Sequence, residues 1–178
     1  LGDYVGYGAD PEWAVATVMD LVEQGALAVL GNHDNAVGST RERLNVEAQV
    51  AIEWTRGELG PSQRRFLAAL PLRLEDEDRL FVHAEASRPK SWIYVTSAAE
   101  AARSINATSA FVTFCGHIHR PALYCMSATA KMTAFTPSPW QTRTRYGPAW
   151  LLGGTSSAAT QARMNGTKVR RVMARIHL

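Results

Sequence analysis

Residues 110–119 read Ala-Phe-Val-Thr-Phe-Cys-Gly-His-Ile-His, an apolar run that ends in a glycine and two histidines. An uncharged run of this length is typical of a buried strand, and the glycine after it lets the chain turn sharply. Side chains beyond such a turn lie at the carboxyl edge of a sheet, where α/β folds place their ligands. In extended backbone His117 and His119 point the same way, so we expect both to face one site.

Three further segments upstream show the same pattern of an apolar strand followed by a polar side chain. Ala26–Leu30 is a continuous apolar run, predicted to be a strand covered on both faces, and Gly31-Asn32-His33-Asp34 follows it directly. Leu80-Phe81-Val82 precedes His83, and Leu1-Gly2 precedes Asp3. A prescribed four-letter word occurs by chance in about one chain in a thousand of this length, so two such words in order indicate function.

The rest of the chain alternates helical and strand patterns. Asp10-Pro11 predicts the start of a helix that ends near Gly25. Further helices are predicted over 41–57, 61–70 and 96–106, and two strands joined by an acidic turn over 72–83. After Pro121 the pattern favours β-structure, and beyond about residue 140 it is poorly defined. This alternation predicts an α/β layered sandwich, and we interpret residues 1–178 as a single domain.

Composition limits the classes of protein to consider. The chain has 178 residues, 46% of them hydrophobic and 20% charged, which is ordinary for a globular domain. The net charge of +3 comes without a nucleic-acid-binding motif, and no apolar run is long enough to span a bilayer. Cys115 and Cys125 form no disulfide framework and fit a reducing compartment, so we expect a cytoplasmic protein. The chain starts at Leu1 without a methionine, which suggests a fragment.

The polar residues at the strand ends are metal ligands by type. Histidine nitrogens combined with amide and carboxylate oxygens suit Mn, Fe, Ni or Zn. The carboxylate of Asp3 has two oxygens and could bridge two cations about 3.5–4 Å apart. Taken singly, His83 could be a structural histidine, Asn32 a turn residue and Asp34 a helix cap. Their ordered recurrence favours a metal site over these separate structural roles.

Two other kinds of active site find no support. Gly6 and Gly8 are followed by no P-loop lysine, so a tight turn explains them better than a phosphate-binding loop. Ser87 and Ser91 lack the glycine-flanked context of a serine-hydrolase nucleophile.

The order Gly-Asp, Gly-Asn-His-Asp, strand-His, Gly-His-x-His resembles that of the calcineurin-like metallophosphoesterase superfamily, in particular its small bacterial and archaeal phosphodiesterase-like members. The similarity covers residues 1–121. It implies a four-layer αββα sandwich with a two-metal centre between its sheets. By motif, Asp3 would bridge both ions, Asn32, His83 and His117 would complete one site, and His119 would contribute to the other.

The resemblance also implies a reaction. A metal-activated hydroxide would attack the phosphorus of a phosphomonoester or phosphodiester substrate in line. His33 would stabilise the transition state and protonate the leaving group, with Asp34 orienting it. The two divalent ions would be manganese, with iron, nickel or zinc as alternatives.

The sequence departs from the superfamily at its start. Members begin with a strand that ends in an Asp-x-His motif, and no such segment precedes Leu1. We therefore expect a fold that lacks the first strand-helix unit, with impaired hydrolysis because one metal site is half built. A non-catalytic protein-binding module on the same fold and an inactive truncated product remain alternatives.

Overall fold

The computed structural model describes residues 1–38, 45–135 and 169–175. Five α-helices lie in these ranges: α1 (Pro11–Glu23), α2 (Asn32–Gly38), α3 (Val46–Glu58), α4 (Pro61–Ala69) and α5 (Ala98–Asn106). Six strands accompany them: β1 (Arg73–Asp76), β2 (Arg79–Val82), β3 (Val112–Cys115), β4 (Ala122–Ser127), β5 (Met132–Phe135) and β6 (Val169–Arg175). The predicted mixture of helices and strands is confirmed.

The six strands form one mixed sheet in the order β1-β2-β3-β6-β4-β5. The central strands β2, β3 and β6 run parallel, and the outer pairings are antiparallel. Because β2 and β3 are parallel neighbours, the residues that follow them meet at one edge of the sheet. The Gly116 N–H donates to the carbonyl of His83 at 2.9 Å, which continues the pairing past both strand ends.

Helix boundaries follow local signals in the sequence. The Asp10 side chain accepts from the N–H of Trp13 and caps α1, with Pro11 in the first turn. Ser97 and Glu100 form a capping box that starts α5 two residues later than predicted. Helix α3 confirms the prediction over 41–57 from residue 46 onward, and positions 41–44 lie outside the described residues.

Buried side chains form two clusters. One packs α5 against the sheet and includes Leu80, Val82, Ile105 and Met173. The other joins helices α1 to α4 with Val5 from the start of the chain. Cys115 and Cys125 are both buried. No helix in the described part of the chain has the length and apolar character to cross a membrane.

The prediction of a strand over Ala26–Leu30 is wrong. Among the described residues the segment belongs to no ladder, and the Leu30 N–H donates to the carbonyl of Pro71 at 2.8 Å. Only Ala28, Val29 and Leu30 are buried. A continuous apolar run indicates burial, but it does not supply a neighbouring strand to pair with. The part of the chain after residue 140 is described only in β6.

Candidate metal centre

Two of the predicted ligands come from the ends of parallel strands. His83 directly follows β2, and His117 follows β3 after Gly116. Their rings lie with centroids 4.9 Å apart, and His83 Nε2 is 3.1 Å from His117 Nδ1. The parallel pairing of β2 and β3 therefore brings together two histidines that are 34 residues apart in sequence.

Two further ligands approach from the helical side. Asn32 is the first residue of α2, and Asp3 follows Gly2 near the start of the chain. The carboxylate of Asp34 ties these segments together, because it accepts from the backbone N–H groups of Asp3, Tyr4 and Gly31 at 2.8–3.0 Å. In return, Asp3 Oδ1 accepts from the His33 N–H at 3.0 Å.

Four side-chain atoms of these residues converge on one point. His83 Nε2 lies 3.3 Å from Asp3 Oδ2, 3.1 Å from Asn32 Oδ1 and 3.1 Å from His117 Nδ1. The ligand atoms of Asp3, His83 and His117 all lie within 4.8 Å of one another. The order of motifs in the sequence predicts this set, and the structure brings it together.

Hydrogen bonds to two backbone carbonyls fix the orientation of both histidine rings. His83 Nδ1 is 2.6 Å from the carbonyl of Leu1, and His117 Nε2 is 2.9 Å from the carbonyl of Trp92. Because a carbonyl only accepts, each of these nitrogens carries a hydrogen, and the opposite nitrogen of each ring faces the cluster. Two imidazole nitrogens, an amide oxygen and a carboxylate oxygen therefore face one another.

Such a donor set fits a divalent cation. A positive ion between the four atoms could be bound by all of them at once. Backbone carbonyls that hold the outer ring nitrogens are the usual way in which a protein orients histidine ligands. The mixture of nitrogen and oxygen donors suits Mn, Fe, Ni or Zn.

The ionisation of the cluster agrees with this fit. Burial, reinforced by the neighbouring His83, lowers the pKa of His117 to about 4, so that its ring is neutral near pH 7. Burial alone would raise the pKa of the Asp3 carboxyl, but hydrogen bonding and charge from His83 lower it overall. The site thus holds a neutral imidazole and an ionised carboxylate, the forms that bind metal.

His119 lies outside the group of converging ligand atoms. The backbone at this turn is not extended as predicted, because His117 and His119 both adopt positive φ, +66° and +53°. The alternation of side chains along a strand does not apply to such a turn. His119 is exposed, and its ring meets that of Tyr7 edge-on with centroids 5.8 Å apart.

His33 lies beside the cluster and contacts Tyr7 rather than Asp34. Its Nε2 is 2.9 Å from the Tyr7 hydroxyl, and its Nδ1 is buried without a hydrogen-bond partner. Both oxygens of Asp34 are occupied by backbone N–H groups. The expected orientation of the His33 ring by Asp34 is therefore absent, and Asp34 orients the backbone that carries Asp3 and Asn32 instead.

A cavity of about 560 Å³ opens over the cluster. Asn32, His33 and His117 form part of its wall together with Tyr7, Trp92 and Tyr94. Tyr94 stacks on the His117 ring with centroids 4.3 Å apart, and 53% of its surface is exposed. These aromatic residues were not predicted as part of the site; for Trp92 and Tyr94 the one available signal is their position in the loop after His83.

Comparisons with known proteins support a hydrolase fold. No protein-family model matches the sequence. The chain is 36% identical over 101 residues to an uncharacterized protein of Methanocaldococcus jannaschii, a match that covers 53% of this chain and 40% of that protein. A crystal structure of a metallophosphoesterase from Sphaerobacter thermophilus superposes with a TM-score of 0.67 at 26% identity, covering 98% of this chain and 62% of that one. The chain thus spans less than two thirds of either relative.

Proposed function

We propose that this chain, a member of the calcineurin-like metallophosphoesterase superfamily, hydrolyses phosphate esters with the help of divalent metal ions. The observation that carries the proposal is the convergence of Asp3 Oδ2, Asn32 Oδ1, His83 Nε2 and His117 Nδ1 below an open cavity. The similarity to the Sphaerobacter enzyme supplies the class of reaction.

The four ligands would hold one ion, and their supports would keep it in place. The carbonyls of Leu1 and Trp92 fix the two histidine rings, and Asp34 fixes the backbone that carries Asp3. When bound, such ions neutralise charge on a phosphoryl group and lower the pKa of water. For the second ion we propose Asp3 and His119 as ligands, and manganese as the metal at both sites.

His33 is the group of this chain best placed to act on the substrate. Its ring is 4% exposed, and it lines the cavity beside Asn32. Its Nε2 contacts the Tyr7 hydroxyl, which also lines the cavity. This nitrogen would donate to the leaving-group oxygen. Burial lowers the pKa of His33, so the ring is neutral near pH 7.

Hydrolysis assays on the full chain test the proposal. With Mn added, bis-p-nitrophenyl phosphate or p-nitrophenyl phosphate should release p-nitrophenolate, and a chelator should abolish the release. Absence of metal-dependent release from protein that has been shown to bind Mn contradicts the proposal and favours a non-catalytic role.

Three variants separate binding from chemistry. His33→Ala should lower turnover by about a hundredfold or more and leave the metal content unchanged. Asp3→Asn should lose the metal together with the activity. Asp20→Asn, an exposed position on α1, is the matched control and should change neither. Loss of metal in His33→Ala would show that His33 also contributes to metal binding.

A further inference from the structure

The ring of His33 is held by a dipeptide rather than by a carboxylate. Its Nδ1 is buried against Gly6, where φ is +103°, and a Cβ built on Gly6 would lie 2.3 Å from Nδ1. The adjacent Tyr7 places its hydroxyl 2.9 Å from Nε2 and its ring centroid 4.4 Å from that of His33. Gly6 and Tyr7 therefore enclose both ring nitrogens from one side of the cavity.

This enclosure decides where the ring carries its hydrogen. Nδ1 has no hydrogen-bond partner, and a buried N–H without an acceptor is far rarer in proteins than an unfilled lone pair. The hydrogen of the neutral ring therefore sits on Nε2, which donates to the Tyr7 oxygen. The hydroxyl hydrogen of Tyr7 is then free to turn toward the cavity, since the oxygen already accepts.

We propose that Gly6 and Tyr7 are the positioning residues of His33, which fix the Nε2–H tautomer and aim that hydrogen at the leaving-group oxygen of a bound phosphoester. The catalytic consequence rests on the function proposed above, whereas the tautomer does not. In this arrangement the ring donates a hydrogen bond while neutral, without a carboxylate behind it. An arriving ester oxygen takes the place of the Tyr7 hydroxyl as acceptor or joins it.

The tautomer is measurable in the metal-free full chain by nitrogen NMR of labelled histidine. We expect a pyridine-type shift for Nδ1 of His33, a pyrrole-type shift for Nε2 and a slowly exchanging Nε2–H proton. Tyr7→Phe removes the acceptor and should abolish the slow exchange. Tyr94→Phe, which removes another hydroxyl from the same cavity, should leave the His33 signals unchanged. A pyrrole-type Nδ1, or an Nε2–H unaffected by Tyr7→Phe, overturns the proposal.

Steady-state kinetics test the catalytic consequence of this arrangement. Tyr7→Phe should lower kcat by about tenfold with little change in KM, since one neutral hydrogen bond is lost from the positioning of His33. The loss should be larger for phenyl methyl phosphate than for p-nitrophenyl methyl phosphate, because phenolate is the poorer leaving group. Equal losses of kcat on both esters would overturn the proposal that the Nε2–H points at the leaving-group oxygen. Tyr7 is 70% exposed, so the variant should fold. A wild-type chain without turnover contradicts the proposed function, while the NMR arm still decides the tautomer.

Discussion

Backbone strain is concentrated around the candidate metal centre. Of the non-glycine residues with positive φ in the described chain, Asp3 and His117 belong to the cluster, Trp92 orients the ring of His117, and His119 lies two residues after His117. Each such conformation costs about 1–3 kcal/mol and persists only where its surroundings enforce it. At Asp3 and Trp92 the enforcing contacts are visible, because Asp34 holds the Asp3 N–H and His117 donates to the Trp92 carbonyl.

Close packing at Gly31 gives a first prediction at this scale. A Cβ on Gly31 would lie 2.2 Å from Asp3 N and 2.3 Å from Asp3 Oδ1, so Gly31→Ala must push Asp3 away from the cluster. We expect the free energy of unfolding to fall by about 1–3 kcal/mol and Mn affinity to fall with it. Denaturant titration and calorimetric Mn titration measure the two effects.

Gly57→Ala is the matched control. Gly57 lies within α3, and a Cβ built on it would meet open space, so alanine there should stabilise the chain by about 0.5–1 kcal/mol and leave Mn affinity unchanged. If both variants bind Mn as the wild type does, the contact between Gly31 and Asp3 does not shape the site.

The ligands were predictable from the sequence, and their supports were not. Side chains such as His83 and Asn32 carry a signal because their type and order are unusual. The carbonyls of Leu1 and Trp92 that orient the rings carry none, since every residue has a carbonyl. The turn that separates His119 from His117 was missed because neither residue is a glycine, the usual signal of positive φ.

At the scale of elements, the short helix α2 depends on its neighbour α3. The guanidinium of Arg56 on α3 donates to the carbonyls of Val37 and Ala36 in the last turn of α2, at 2.8 and 2.7 Å. Arg56→Gln removes the guanidinium and its two hydrogen bonds, and we expect it to lower the free energy of unfolding by about 1–3 kcal/mol. Denaturant unfolding measures the change.

Arg65→Gln serves as the comparison for Arg56. Arg65 is exposed on α4, so its loss should change stability by no more than about 0.5 kcal/mol. Equal effects of the two substitutions would show that the contact between α3 and α2 contributes nothing beyond surface charge.

Asp34 makes the junction between α2 and the start of the chain sensitive to pH. Burial raises its pKa from 3.8 to about 6, even though three backbone N–H groups donate to it. The folded state thus binds the proton more tightly than the unfolded state, so the stability from this group is complete below about pH 4 and lost as pH rises through about 6. The loss amounts to about 3 kcal/mol.

Denaturant unfolding of the metal-free chain at several pH values tests this sign. Subtracting the profile of Asp34→Asn removes groups that both proteins share, including His117, whose lowered pKa acts in the opposite direction. The difference should fall as pH rises from about 4 to about 6. A difference that rises or stays flat across this window contradicts the raised pKa.

Elements with local signals were predicted well, and those that depend on distant partners were not. Residues next to each other in sequence determine the caps of α1 and α5 and the acidic turn between β1 and β2. The segment Ala26–Leu30 was misassigned because pairing needs a second strand, which no local pattern reveals. Strand β6 was missed for the same reason: its partners β3 and β4 lie more than 40 residues earlier in the chain.

At the scale of the molecule, the candidate metal centre lies between the two buried clusters. Asp3 and Asn32 come from the side of helices α1 to α4, whereas His83 and His117 extend from the sheet that packs on α5. A cation held by all four side chains would bond the two halves to each other.

Metal binding should therefore stabilise the whole chain, and not only the site. Free Mn at a hundredfold excess over its Kd adds about 2.7 kcal/mol to the free energy of unfolding. For a chain of this size that corresponds to a rise in Tm of about 5–10 °C. Scanning calorimetry with Mn and with a chelator measures the shift, which should vanish in Asp3→Asn and persist in Asp20→Asn. A shift of equal size in Asp3→Asn would place the stabilising ion elsewhere and remove the structural basis for joining the two clusters through these ligands.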